Sequence, residues 1–163
     1  RRGGGAYIGE ERVVISGSDK PFGNRLVGLP SSFNSRFQFG SGMNGRIGEL
    51  RISGSIAYEM VLVAKGILQY SVVGAPRLWD VLGGIVLVEE AGGTVLVGVG
   101  NRPHILPGRR KINWLPARSG LGSWANTKPK ISEIRHWRAP LIIGGSGVSH
   151  VAANLDAKRR LGW

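Results

Sequence analysis

The chain has 163 residues, 42% of them hydrophobic, which fits one globular domain with its own core rather than a disordered segment. It has no cysteine, which excludes disulfides, Cys-ligated zinc and thiol catalysis. No apolar run nears the ~20 residues that span a bilayer, and the net charge of +12 points to an anionic partner such as nucleic acid, an acidic surface or a phosphorylated ligand.

Ala6 to Val14 reads as a short hairpin and Arg25 to Leu29 as a strand. Ser31 to Arg46 is polar and glycine-rich around Phe33, Phe37 and Phe39, and Gly40-Ser41-Gly42 weakens any helix there. Arg46 to Ser53 reads as a strand. Ser55 to Gly66 reads as a helix, with Ile56, Met60 and Val63 at i, i+4 and i+7 forming one apolar face. Ser53 or Ser55 suits its N-cap, and Gly66 its C-terminal turn. Leu68 to Val73 reads as a strand. Asp80 to Ala91 reads as a helix stopped by Gly92-Gly93, and the absence of charge from Val81 to Val88 predicts that it is buried. Thr94 to Val99 reads as a strand, Ile142-Ile143 as the start of a last strand, and Val148 to Lys158 as a final helix. This alternation predicts an α/β fold, a layered sheet with flanking helices.

Asn101 to Ala139 does not read as regular structure. It holds four prolines, Trp114, Trp124 and Trp137, many Lys and Arg, and one acid, Glu133. Basic residues interleaved with aromatics can bind single-stranded nucleic acid. A solvated loop whose tryptophans fold back on the domain accounts for the same composition. No aromatic ribonucleoprotein signature is present, so the expected binding is non-specific attraction of polyanions. His104, His136 and His150 are isolated, without the spacing of a histidine metal site. There is no Gly-x-Ser-x-Gly elbow and no phosphate loop ending in Gly-Lys-Ser/Thr.

The chemistry concentrates at Asp80, a carboxylate at the mouth of an otherwise apolar helix. The helix N-terminus stabilises it, and a carboxylate there can cap the helix or ligate a hard cation such as Mg²⁺. Upstream lies Gly54-Ser55-Ile56-Ala57, opening a helix that ends in Ala64-Lys65-Gly66. Downstream, Trp79-Asp80-Val81 is followed by Glu90-Ala91-Gly92-Gly93, and the spacing from Ser55 to Asp80 is uninterrupted. With the glycine hairpin Gly3-Gly4-Gly5-Ala6-Tyr7 and the strand Pro140-Leu141-Ile142-Ile143-Gly144-Gly145, the pattern resembles the C-terminal half of the inositol monophosphatase family.

The resemblance implies one domain over residues 1–163, with a basic insertion or diverged segment at about 101–139. It implies Asp80 as a metal ligand, joining aspartates of an Asp-Pro-x-Asp-Gly-Thr motif around Mg²⁺. It implies Gly54, Ser55 and Ile56 as substrate-binding residues, and Trp79 packed beneath Asp80. The family's glutamate seven residues before the metal aspartate, which grips a sugar or inositol ring, is Val73 here. Arg77 is placed to meet an anionic substrate, or is a surface charge. The expected protein is a cytoplasmic homodimer that hydrolyses a small phosphate monoester and has no membrane partner. The family's Glu-Glu and Asp-Pro-x-Asp-Gly-Thr motifs are absent, so this chain alone is expected to be inactive, as a fragment or a natural half-length form. The alternative is a non-catalytic relative that binds an anionic partner such as nucleic acid through its basic surface.

Overall fold

A computed structural model describes residues 3–103, 109–120 and 131–158. His104 and Trp124 lie outside these residues. The fold is α/β, centred on an eight-stranded sheet ordered β4-β10-β8-β7-β9-β6-β3-β5. In chain order the strands are β3 (Leu26–Gly28), β4 (Phe37–Phe39), β5 (Glu49–Arg51), β6 (Tyr70–Val73), β7 (Thr94–Pro103), β8 (Arg109–Pro116), β9 (Leu141–Gly144) and β10 (Leu155–Lys158). Strand β3 runs parallel to both β5 and β6, and the other pairs are antiparallel. A separate hairpin, β1 (Ala6–Ile8) with β2 (Glu11–Val13), leads in.

Helices cover both faces, so the central strands β6 and β9 are runs buried on two sides. On one face, α2 (Ile56–Ala64) and α3 (Leu78–Glu90) set Met60, Val63, Val81, Ile85 and Val88 against Val73, Val95, Val97, Leu141 and Ile143. On the other, α1 (Phe33–Arg36) and α6 (Val148–Ala153) enclose Phe33, Val148 and Val151 with Val27, Val72, Ile142 and Leu155. The buried phenol of Tyr70 donates to the Ile47 carbonyl at 2.6 Å, and burial pushes its pKa up, keeping it a neutral donor. Helices α4 (Ala117–Gly120) and α5 (Ile131–His136) follow β8.

The hairpin docks through the end of α3. Glu90 accepts the Gly3 and Gly5 N–H groups at 2.6 and 2.8 Å, while Glu89 pairs with Arg118 at 3.5 Å. The Glu89-Glu90 pair thus holds surrounding chain rather than a ligand.

Three elements differ from the sequence reading. Ser31–Arg46 forms only the four-residue α1, then β4 and a 3₁₀ turn at Ser41–Met43. The described part of the basic segment includes sheet: β8 pairs with β7 over a long antiparallel ladder, with Trp114 packed on the core cluster around Ile112. Val148–Lys158 is not one helix. It ends at Ala153, and β10 then inserts between β4 and β8. Val148, Val151 and Leu155 have helical spacing, but Leu155 meets the same core from a strand. Asp156, on β10, is buried and paired with Lys111 of β8 at 3.0 Å.

Helix α3 is also not wholly buried. Trp79, Leu82 and Val86 are 55%, 43% and 45% exposed. An uncharged sequence fills a buried face and leaves its remaining apolar side chains on the opposite one.

Candidate functional site

A cleft of about 280 Å³ opens beyond the carboxyl ends of β3, β5 and β6, the three mutually parallel strands. Open α/β sheets commonly bind ligands at such strand ends. Pro30 follows β3, Ile52 follows β5, and Val73-Gly74 closes β6; all line the cleft, together with Gly54, Ser55 and Ile56.

The loop before α2 is built by local bonds. Gly54 has φ +75°, a conformation that only glycine adopts cheaply. Ser55 is the N-cap, its hydroxyl accepting the Tyr58 N–H at 3.4 Å. Ser53 Oγ accepts the Ser55 N–H at 3.2 Å and donates to Glu59 Oε1 at 2.9 Å. The other Glu59 oxygen, Oε2, accepts from the Ser71 hydroxyl of β6 at 2.9 Å. Glu59 is only 8% exposed, so this network fastens the Gly54–Ile56 loop to the sheet from beneath. It was missed in the sequence, where its signal is an acid beside Met60 on the apolar side of α2.

Replacing Glu59 by leucine would leave the buried Ser71 hydroxyl without its acceptor, while the exposed Ser53 hydroxyl keeps the Ser55 carbonyl at 3.2 Å, and should cost about 1–3 kcal/mol. Glu59→Gln keeps one acceptor and adds a donor that either hydroxyl can accept, so it should cost clearly less. Urea unfolding of the two variants checks this order.

Asp80 lies in the first turn of α3, four residues beyond Pro76 at the cleft wall. It is not the N-cap. Arg77 holds that position, and Asp80 Oδ2 reaches back to accept the Arg77 N–H at 3.1 Å. The carboxylate is exposed. Oδ1 has no protein partner among the described residues, so Asp80 fits as one ligand of a hard cation. One carboxylate is not a Mg²⁺ site, however, and no group of three or more His, Cys, Asp or Glu is assembled among the described residues.

Trp79 does not pack beneath Asp80. It stands exposed with the Arg77 guanidinium 5.3 Å from its ring centroid. Arg77 also donates to the Arg135 carbonyl at 3.0 Å, which ties it to α5. Val73 is buried at the cleft wall and brings no polar group. His136 Nδ1 and His150 Nε2 each lie within hydrogen-bond distance of a backbone carbonyl, of Ser132 and Gly42.

A sequence model of the inositol monophosphatase family matches residues 1–136. The fructose-1,6-bisphosphatase/inositol-1-monophosphatase of Thermotoga maritima is 31% identical over 94 residues, covering 57% of this chain and 36% of that protein. The protein of the same name from Aquifex aeolicus is 29% identical over 105 residues, covering 60% and 39%. The chain therefore spans well under half the length of these curated relatives. Among solved structures, inositol monophosphatase II of Staphylococcus aureus superposes with a TM-score of 0.56 at 19% identity, over 92% of this chain and 46% of that one. The extragenic suppressor protein suhB of Bartonella henselae gives 0.56 at 16% identity, over 93% and 49%. At such identities the structures speak for the fold, and the sequence match over residues 1–136 decides the family: this chain belongs to the inositol monophosphatase family.

Proposed function

We propose that this chain supplies the substrate cleft and one metal-binding carboxylate of a Mg²⁺-dependent phosphatase acting on a small phosphate monoester. The observation that carries the reading is the cleft itself. Gly54, Ser55 and Ile56 line it at the start of α2, and the chain leaves its wall at Pro76 to reach Asp80 one helical turn on. The relatives' names, which pair fructose-1,6-bisphosphatase with inositol-1-monophosphatase, support a phosphorylated polyol or sugar as the substrate class.

Mg²⁺ bound at Asp80 needs further oxygen donors. The outer side of α2 and α3 supports their arrival on other protein. Tyr58 and Val61 of α2, and Trp79, Leu82 and Val86 of α3, present an exposed apolar face, and Asp80 emerges beside it. A face of this kind is a surface for burial against protein. As the resemblance implies, the working protein is taken to be a cytoplasmic homodimer. No helix among the described residues is long and apolar enough to cross a membrane.

Assays of phosphate release from a panel of monoesters test the reading. The 163-residue chain by itself should be silent. The same chain fused behind the N-terminal half of a matched relative, which restores the family's carboxylate motifs, should show Mg²⁺-dependent release. Activity of the isolated chain would overturn the donor count, and a well-folded but silent fusion would overturn the phosphatase reading.

The competing reading is a polyanion-binding protein. On β8, Arg110 is exposed, but Lys111 is occupied by Asp156 and by the Ala153 carbonyl at 2.9 Å, and Lys158 of β10 by the Asn34 carbonyl at 2.7 Å. Engaged cations of this kind favour weak, sequence-independent attraction. Affinity for mixed-sequence oligonucleotides should fall ~10³-fold or more between 50 and 200 mM salt if six or more phosphates are engaged. Tight binding that survives high salt would promote the nucleic-acid reading.

A further inference from the structure

The cleft contains one cation that the family pattern does not account for. Arg36, the last residue of α1, lines it. Its stem lies along the backbone at Gly74, where an added Cβ would be 3.9 Å from Arg36 Cδ. The side chain is exposed, and among the described residues nothing pairs with its guanidinium. Past Gly74 the cleft runs into a second hollow of about 240 Å³, which Arg36 shares and which Lys158 lines.

Besides Arg36 the wall brings no free charge: Ser31, Ser32 and Ser55 can meet the hydroxyls of a polyol, and the rest is largely apolar. Pro30, Ile52, Ile56, Val72, Val73 and Pro76 are apolar. Glu59 reaches the cleft, but both its oxygens accept from serine hydroxyls. An unpaired guanidinium is a planar fork of donors that matches a phosphate or carboxylate with two hydrogen bonds, and has no such match with a hydroxyl.

We propose that Arg36 sets the specificity of this cleft by recognising a second anionic group, a phosphate or a carboxylate, on the organic portion of the phosphate monoester. The assignment rests on the phosphatase reading and deepens it. The ester phosphate lies toward Asp80, the body spans the apolar wall, and the second anion reaches past Gly74 to Arg36.

Calorimetric titrations of the 163-residue chain with three ligands test this: fructose 6-phosphate, fructose 1,6-bisphosphate and 6-phosphogluconate. At least one of the two ligands with a second anionic group should bind about tenfold tighter than fructose 6-phosphate. Which of them does so tells phosphate from carboxylate. Arg36→Gln should erase the advantage, and Arg36→Lys should restore part of it. Arg110→Gln, on the exposed side of β8, should leave it intact and so controls for overall charge. Circular dichroism confirms that the variants are folded. If fructose 6-phosphate binds and the second anion adds nothing, the Arg36 assignment fails alone. It also fails if Arg36→Gln and Arg110→Gln weaken binding equally. If none of the three binds, the Arg36 assignment fails, and the phosphatase reading is decided separately by phosphate release from the fusion.

Discussion

Asp80→Asn should reduce Mg²⁺-dependent phosphate release by ~10²-fold or more in a protein that carries the complete carboxylate set, and barely alter its folding. A metal that polarises a phosphoryl group contributes several kcal/mol, and each 1.36 kcal/mol is tenfold in rate. Asparagine keeps the shape of Asp80, and its amide oxygen can still accept the Arg77 N–H that Asp80 Oδ2 accepts now. Only the charge is removed, which is the property a hard cation requires. Stability should shift by a few tenths to ~1 kcal/mol through the weakened cap and the lost charge at the helix N-terminus. Turnover measured against Mg²⁺ concentration, beside a thermal melt, separates the two effects. Near-normal turnover at limiting Mg²⁺ would reduce Asp80 to a helix cap.

A large loss of stability is expected behind the cleft, where α2 and α3 cross. A Cβ added at Gly84 would run into the Met60 side chain, which is fully buried. At Gly83, one position earlier, a Cβ would meet nothing within 4 Å. Gly84→Val should therefore destabilise the domain by about 2–3 kcal/mol, a large part of the 5–15 kcal/mol that holds a domain folded. Its melting temperature should drop by ~5–10 °C. Gly83→Ala should instead gain up to ~1 kcal/mol from helix propensity alone. Pairing Gly84→Val with Met60→Ala removes the colliding side chain, so the double variant should lose less than the two single losses combined. The spacing matters for function as well, because α2 carries Ser55–Ile56 at its start and α3 carries Asp80.

The same contrast shows what the sequence makes legible. Neighbouring glycines in α3 look alike on paper, and only the crossing of α2 separates the packed one from the free one. Helix α2 was readable because Ser55, the Ile56–Met60–Val63 stripe and Gly66 are local signals that agree, and the described helix falls within the predicted range. Strand β10 was not readable, since Leu155 continues the helical spacing of Val148 and Val151. Its identity comes from pairing with β4 and β8, more than a hundred and nearly fifty residues away. Long-range pairing overrides local pattern there. The long β7–β8 ladder was hidden in the same way behind prolines and basic residues.

For the site, Gly54, Ser55 and Ile56 were legible as a helix start, and they do line a cleft. Asp80 was legible as a carboxylate at a helix mouth, though its place after the N-cap was not. Glu59 and Arg36 were opaque. One is an acid within an apolar helix face, and the other a cation in a polar stretch, so each acquires its meaning from what the fold sets opposite it.

The most direct measurement of the central claim is residue by residue. Fructose 6-phosphate titrated into the isotope-labelled chain, followed by amide chemical shifts, should first move Gly54, Ser55, Ile56 and Gly74 around the cleft. Arg110, Lys111 and Arg118 should hardly respond at 150 mM salt, where attraction between exposed charges is screened beyond ~8 Å. Shifts confined to those basic residues, with the cleft unmoved, would contradict the account.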